Sequence, residues 1–297
     1  SSRRRHTKFR NVTGVQTCAL PIYNGKANRA KINHNPVRNQ REIAGLVHAI
    51  CFSPEDLDLV RGDPHERRSF LDHIIVQHSP RMNAVIADYE RAVRQRNTLL
   101  KARAPQSSIS PWDEHLSNFG SQVLTARIGI IEALQPFFTA SYSAISSKKN
   151  AVISYKSSID NPTKSSTENS ELILAKIKEL STQERDRGVS LVGPHRDDLL
   201  LNLGNQPVKG YASHGESWSI ALALRLASYE LLREGGSQPI LILDDVFSEL
   251  DEARRHQLSQ VIETAEQTFI TVAVENDLPE GIKGTKFLVS SGTVRAL

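Results

Sequence analysis

Two adjacent carboxylates, Asp244 and Asp245, close the apolar run Ile240–Leu243, and Ser248, Glu249, Leu250 and Asp251 follow directly. A buried strand ending this way delivers Asp244 to the C-terminal edge of a sheet, where it can hold Mg²⁺ through water against a nucleotide phosphate. Asp245, one residue on, can orient or deprotonate an attacking water. The same text also fits a buried strand followed by an acidic helix cap, so alone it leaves both readings open. A second segment, Tyr211-Ala-Ser-His-Gly-Glu-Ser217, abuts the apolar helical pattern Trp218–Leu232. A small-residue turn opening a helix presents free backbone N–H groups and the positive helix end to an anion, with Ser213 and Gly215 permitting close approach of a phosphate. Such a turn is often only a cap. Its place about 30 residues ahead of the double aspartate tips the balance toward nucleotide chemistry.

The surrounding text must supply a sheet and a helix to hold these residues. After Gly188, short β-branched runs alternate with helical patterns: Val189–Val192, Leu199–Leu203, Ile240–Leu243, Phe269–Ala273 and Phe287–Ser290, which is the pattern of an α/β core. Ahead of it, apolar positions recur at helical spacing from about Glu66 to Ala102 and again from Trp112 to about Ala144, predicting two long helices joined by a Pro105–Pro111 loop. A strand at Ala151–Tyr155, a Ser/Thr/Asn/Pro-rich linker at Ser157–Ser170 and a helix from about Glu171 to Leu180 follow. From Tyr23 to Cys51 the text is turn-rich, with Asn24-Gly25 and Asn35-Pro36 as turns of a small antiparallel sheet. The expected division is a leader at 1–22, the front part of the α/β lobe at 23–65, an inserted helical lobe at 66–187 and the α/β lobe proper at 188–297.

The turn and the double-aspartate strand together resemble the signature and Walker B motifs of ABC-type ATPases, in the branch with SMC-like heads. Within that branch, Pro54–Asp72, Gly193–Leu199 and Leu243–Asp251 resemble the RecF family of bacterial recombination mediators, in order and separation along residues 23–297. The resemblance implies an α/β ABC-type ATPase head with an inserted helical lobe, which dimerises with ATP sandwiched between subunits. Carried over, Asp244 holds Mg²⁺, Asp245 acts on the water, and Ser213, Gly215 and Glu216 face the partner's nucleotide. Ser248 to Asp251 become the D-loop at the dimer interface. Thr271 stands where many ABC heads have a switch histidine, a departure that leaves the γ-phosphate sensor open. The implied partners are DNA, as duplex or single-strand/duplex junction, a second copy of the chain in an ATP-dependent homodimer, and RecR, RecO and RecA-like proteins.

No G-x-x-x-x-G-K-[ST] phosphate loop occurs in the 297 residues, and Asn24-Gly25-Lys26 has neither the loop length nor the hydroxyl. The family carries that loop near its N-terminus, so the expectation is a head incomplete at the N-terminus, unable by itself to bind ATP in its own half-site. Residues 1–22 have no period, and the apolar stretch behind Arg3, Arg4 and Arg5 is broken by Thr13, Gly14, Gln16 and Thr17, unlike an export signal. They read as a non-native leader. That leader takes five of the 37 basic residues and none of the 33 acidic ones, so the overall charge of +4 says nothing of nucleic acid and basic surfaces must be argued locally. Candidates for DNA phosphates are Lys26, Arg29, Lys31 and Arg38 in front and Arg91, Arg94, Arg96, Lys101 and Arg103 on the first long helix, each equally a solvated face. Arg61, Arg67 and Arg68 could meet phosphates of DNA or brace the junction between lobes, and bracing is the preferred reading. His195, Arg196, Asp197 and Asp198 suggest a surface near the nucleotide or the dimer seam; His195 has no second His or Cys at metal-ligand spacing.

Cys18 and Cys51 cannot build a disulfide framework, and no apolar run reaches the roughly 20 residues of a membrane span. A cytoplasmic protein follows as the expectation. Without a long heptad array, a long-armed SMC protein or transporter subunit is disfavoured. The reading is an ATP-switched DNA clamp of recombinational repair that helps load recombinase at gaps. The alternative is a nucleotide-independent DNA or protein scaffold on a degenerate ATPase fold.

Overall fold

The computed structural model describes residues 31–32, 35–36, 45–146, 149–279, 281–290 and 292–297. The leader and the expectations resting on Asn24, Gly25, Lys26, Arg29 and Arg38 lie outside the described residues. In chain order the elements are β1 (Lys31–Ile32), β2 (Asn35–Pro36), β3 (Ala49–Phe52), α1 (Leu57–Arg61), α2 (Pro64–His78), α3 (Met82–Lys101), α4 (Gln106–Ile145), β4 (Ala151–Lys156) and α5 (Ser166–Arg187). There follow β5 (Asp198–Leu203), β6 (Gln206–Pro207), α6 (His214–Glu234), β7 (Ile240–Asp244), α7 (Glu252–Thr264), β8 (Thr268–Thr271), β9 (Phe287–Ser290) and β10 (Thr293–Ala296).

The double-aspartate strand β7 is the centre of a parallel sheet of order β3-β7-β8, with Phe52 opposite Leu243 and Asp244 opposite Thr271. Ile50, Phe52, Leu241 and Leu243 are buried, as the continuous apolar text of a parallel strand requires. Helix α6 packs against this layer, the Trp218 ring meeting Phe52 edge-on at 5.8 Å. Nearly every residue of α6 from Ser217 to Leu232 is buried, because α4 covers it from another side. A helix apolar all round belongs in such a sandwich. A second sheet, β4-β5-β6, is antiparallel and pairs Ala151 with Leu203 through Lys156 with Asp198. Helices α2 to α5 build the rest, around α4, whose 40 residues span about 60 Å at 1.5 Å per residue.

Several expectations change. The run expected as one helix over Glu66–Ala102 is two, α2 and α3, separated at Ser79-Pro80-Arg81, because a residue before proline is pushed out of the helical region; Ser79 has φ −139°. The expected Pro105–Pro111 loop belongs to α4. Pro105 is its N-cap, Pro111 and Pro136 lie inside it, and the actual turn is Ala102–Ala104, where Arg103 takes φ +52°. Val189–Val192 is no strand but a connection held by side chains. Asn35-Pro36 is a strand paired with Lys31–Ile32 rather than a turn, and Ala49–Phe52 joins the parallel sheet. The hairpin β9-β10 extends the expected Phe287–Ser290 strand by a partner the sequence had not marked.

Candidate functional site

Asp244 lies exposed at the C-terminal end of β7, beside Thr271 at the end of β8. The Thr271 hydroxyl donates to Asp244 Oδ1 at 2.6 Å and accepts the Asp245 N–H at 3.1 Å. The Thr271 carbonyl accepts the same N–H at 3.1 Å. These bonds hold Asp245 at φ +55°, a left-handed conformation uncommon outside glycine and costing of order 1–3 kcal/mol in a non-glycine residue. The Ser248 hydroxyl donates to the Asp245 carbonyl at 3.2 Å, and Asp251 then caps α7 by accepting the Arg254 N–H at 3.0 Å. Thr271 thus brings Asp244 and Asp245 together and fixes the backbone between them.

The turn before α6 forms a reciprocal cap. Ser213 is the N-cap: its Oγ accepts the Glu216 N–H at 3.2 Å, while Glu216 accepts the Ser213 N–H at 2.8 Å. The Ser213 hydroxyl also supports the Glu216 carboxylate by a side-chain hydrogen bond. Lys149, just ahead of β4, donates to the other Glu216 oxygen at 2.8 Å. That ammonium, with the Ser213 N–H, holds the Glu216 carboxyl down at about 2. On the other side Arg254 donates to the Gly215 carbonyl at 2.9 Å, to Ser219 Oγ at 2.9 Å and to Asp251 at 2.6 Å. Ser213, Gly215, Glu216 and Asp251 therefore belong to one bonded cluster, and Asp244, Asp245, Ser248 and Thr271 to another; the Ser248–Asp251 segment of the chain joins them. Sequence reasoning missed Arg254 and Lys149. Arg254 carries a local signal, three residues after its cap Asp251, whereas Lys149 stands 67 residues before Glu216 and has none.

Most of the Gly193–Leu199 segment is turned inward, and Arg196 is its exposed residue. Asp197 is buried and accepts from Tyr155 Oη at 2.8 Å and the Ser158 N–H at 2.7 Å, while burial pushes its carboxyl upward. The Ser190 carbonyl can only accept, so His195 donates to it through Nε2 and accepts from Tyr89 Oη at Nδ1, 2.6 Å away. Burial lowers this imidazole to about 4, and the ring is neutral. Gly193 has φ +120°, and a Cβ there would lie 2.5 Å from the Tyr89 hydroxyl. Arg67 grips Asp198 with two bonds of 2.8 and 2.9 Å, Arg68 donates to the Asp197 carbonyl, and Arg61 donates to Ser217. All three tie together segments far apart in the chain.

Arg96 is removed from the DNA candidates. It is 2 % exposed and donates to Asp113 at 2.6 Å, Ser190 at 2.8 Å and Glu184 at 2.6 Å. Arg91 and Arg94 are exposed but paired with Asp88 and Glu90 on their own helix. Lys101, Arg103 and Lys31 are exposed. Among the described residues no group of three or more His, Cys, Asp or Glu side chains is arranged to hold a metal ion, and no helix is long and apolar enough to cross a membrane.

Known proteins match this arrangement closely. The DNA replication and repair protein RecF of Streptomyces avermitilis is 46% identical over 290 residues, covering 94% of this chain and 78% of that protein. The chain belongs to the RecF family. The RecF of Frankia alni is 44% identical over 290 residues, covering 93% of this chain and 77% of its own length. Among solved structures, the recombination mediator protein RecF-ATPrS of the RecFOR pathway matches with TM-score 0.83 and 25% identity, over 93% of this chain and 75% of that one. The RecF-family fold is therefore the α/β ATPase-type head with inserted helices that the motifs implied. No protein-family model matches the chain.

Proposed function

We propose that this RecF-family chain, with its role in DNA replication and repair, is an ATP-switched DNA-binding protein. It closes as an ATP-dependent homodimer on duplex DNA or single-strand/duplex junctions at gaps, and helps load a RecA-like recombinase together with RecO- and RecR-like partners in the cytoplasm. The observation that supports this reading is the Ser213 turn: an exposed serine at the N-terminus of a 21-residue helix, where the free amides and the positive helix end form a seat for an anion.

The residues present fit half of a composite nucleotide site. Asp244, exposed at the C-terminal edge of a parallel sheet where ligands of such sheets bind, would hold Mg²⁺. When bound, that ion with ATP would supply a triphosphate whose charge is neutralised for in-line attack. Asp245, with its backbone fixed by Thr271, would take the proton of the attacking water. Ser213 and the Gly215 amide would receive the γ-phosphate side of a nucleotide carried by the partner, with Glu216 holding the turn in shape. Ser248 to Asp251 would cross the interface. Lys101, Arg103 and Lys31 remain as phosphate contacts for DNA, read by backbone rather than base. The second reading is a nucleotide-independent DNA or protein scaffold.

The test is a chimera carrying the N-terminal segment of the Streptomyces avermitilis relative ahead of Tyr23, weighed by sedimentation with and without ATP. ATP is expected to convert monomer to dimer. Ser213→Arg is expected to block this with the monomer still folded, and Asp244→Asn to abolish hydrolysis. A Ser213→Arg variant that dimerises like its parent overturns the signature role, and a chimera indifferent to ATP leaves the scaffold.

A further inference from the structure

One side chain binds both segments that the proposed function sends to the dimer interface. Arg254, in the first turn of α7 and with its side chain only 17% exposed, spends its guanidinium on three partners. Nη1 donates to the carboxylate of Asp251, Nη2 to the Gly215 carbonyl and Nε to Ser219 Oγ. Its backbone N–H is in turn capped by Asp251. The fork of an arginine suits this task because its donors are coplanar and fixed in direction, which a lysine cannot reproduce. The contact also bears on a residue choice. A Cβ on Gly215 would lie 3.0 Å from Arg254 Nη2, a tight approach that the guanidinium would have to yield to by a few tenths of an ångström, straining its three bonds.

We propose that Arg254 is a positioning residue that locks the signature turn to the D-loop within one subunit, and that glycine at position 215 leaves its guanidinium unstrained there. This rests on reading Ser213–Glu216 and Ser248–Asp251 as the segments that meet a partner. Its consequence is that the two segments approach the partner as one rigid unit. Closure on the nucleotide and closure of the D-loop are then a single event, with the coupling carried by α7 and not by the nucleotide.

The first measurement is hydrogen exchange on the 297-residue chain without nucleotide. Arg254→Ala is expected to raise exchange about tenfold, in the range of intramolecular couplings, in peptides covering both Ser213–Ser219 and Ser248–Arg255, with α3 and β7 unchanged. Arg254→Lys is expected to restore the Asp251 side alone. A signature turn that exchanges as in the parent overturns the proposal. The second measurement is a double-mutant cycle. Gly215→Ala is expected to lower the unfolding midpoint when Arg254 is present and to raise it in the Arg254→Ala background, where only the better helix propensity of alanine remains. Additive effects overturn the steric argument. In the chimera, Arg254→Ala is expected to raise the concentration for ATP-driven dimerisation about tenfold. Unchanged dimerisation there, with Ser213→Arg still blocking it, refutes the positioning role, whereas indifference to both substitutions refutes the dimer reading and leaves the exchange result standing.

Discussion

Replacing Arg96 with methionine separates the two roles that this residue could have had. Its charge sits between Asp113 and a Glu184 that is fully buried, with N–O distances of 2.6 Å to each. Methionine fills similar volume but leaves Glu184 with the Leu191 N–H as its hydrogen-bond donor and with no counterion, and the Ser190 hydroxyl loses its donor. Removing one partner of a buried pair costs about 3–5 kcal/mol. For a chain of this size, with roughly 2–4 °C per kcal/mol, the melting temperature should drop by about 6–20 °C. Urea unfolding at pH 7, followed by circular dichroism, measures the loss. A second substitution, Glu184→Gln, should recover part of it by removing the stranded charge. The exposed control Arg94→Met should stay within about 0.5 kcal/mol. Fluorescence anisotropy on duplex DNA across a salt series supplies the other arm: each lost phosphate contact lowers the log–log salt slope by about 0.9, and Arg96→Met should leave it unchanged. A variant with parental stability and a shallower slope would refute the reasoning and return Arg96 to the DNA surface.

His195 is held near 4 against an ordinary 6.5, so the unfolded chain takes up its proton first as pH falls. The stability that neutral His195 contributes is complete above pH 6.5 and disappears as pH falls through 4. The gap in urea midpoint between parent and His195→Asn should therefore be wider at about pH 7.5 than at about pH 4.5, and an unchanging gap contradicts the assignment. Glu216, held at about 2 chiefly by Lys149, keeps its capping contribution above the ordinary carboxylate range and loses it toward pH 2. Lys149→Ala should move the Glu216 carboxyl upward in an NMR titration. Thr271→Val keeps the shape of the side chain but deletes the hydroxyl between Asp244 and Asp245. As hydrogen bonds to charged groups contribute about 1.5–3 kcal/mol, ATP hydrolysis by the chimera should fall roughly tenfold or more while ATP-driven dimerisation persists.

The elements that position the motifs were legible where local chemistry decides them. The apolar text of Ile240–Leu243 can only be a buried strand, and Ser213 three residues ahead of Glu216 announces a capped helix start. Legibility ended where a distant partner decides. Val189–Val192 has the composition of a strand, yet the Ser190 N–H and hydroxyl both go to Asn97 and its hydroxyl accepts from Arg96, so no ladder is left to form. Arg96 looked like its exposed neighbours Arg91 and Arg94 because the carboxylates that draw it inward lie 17 and 88 residues away. The Gly193–Leu199 polar cluster misled for the same reason: Tyr89, Tyr155 and Ser158 satisfy it from other elements. Pro111 failed as a helix boundary because it stands as the sixth residue of α4, past the first turn, and the helix runs on through it at the cost of one intrahelical bond.

The fit of Gly215 against the Arg254 guanidinium also orders the paths by which relatives can diverge. A side chain gained at position 215 while the arginine is present has to push the guanidinium aside, whereas the arginine can be exchanged first and the glycine afterwards without that cost. Lineages that lost the arginine are then free to vary at both positions, and those that kept it vary at 215 only against that cost, so the two positions should tend to change together.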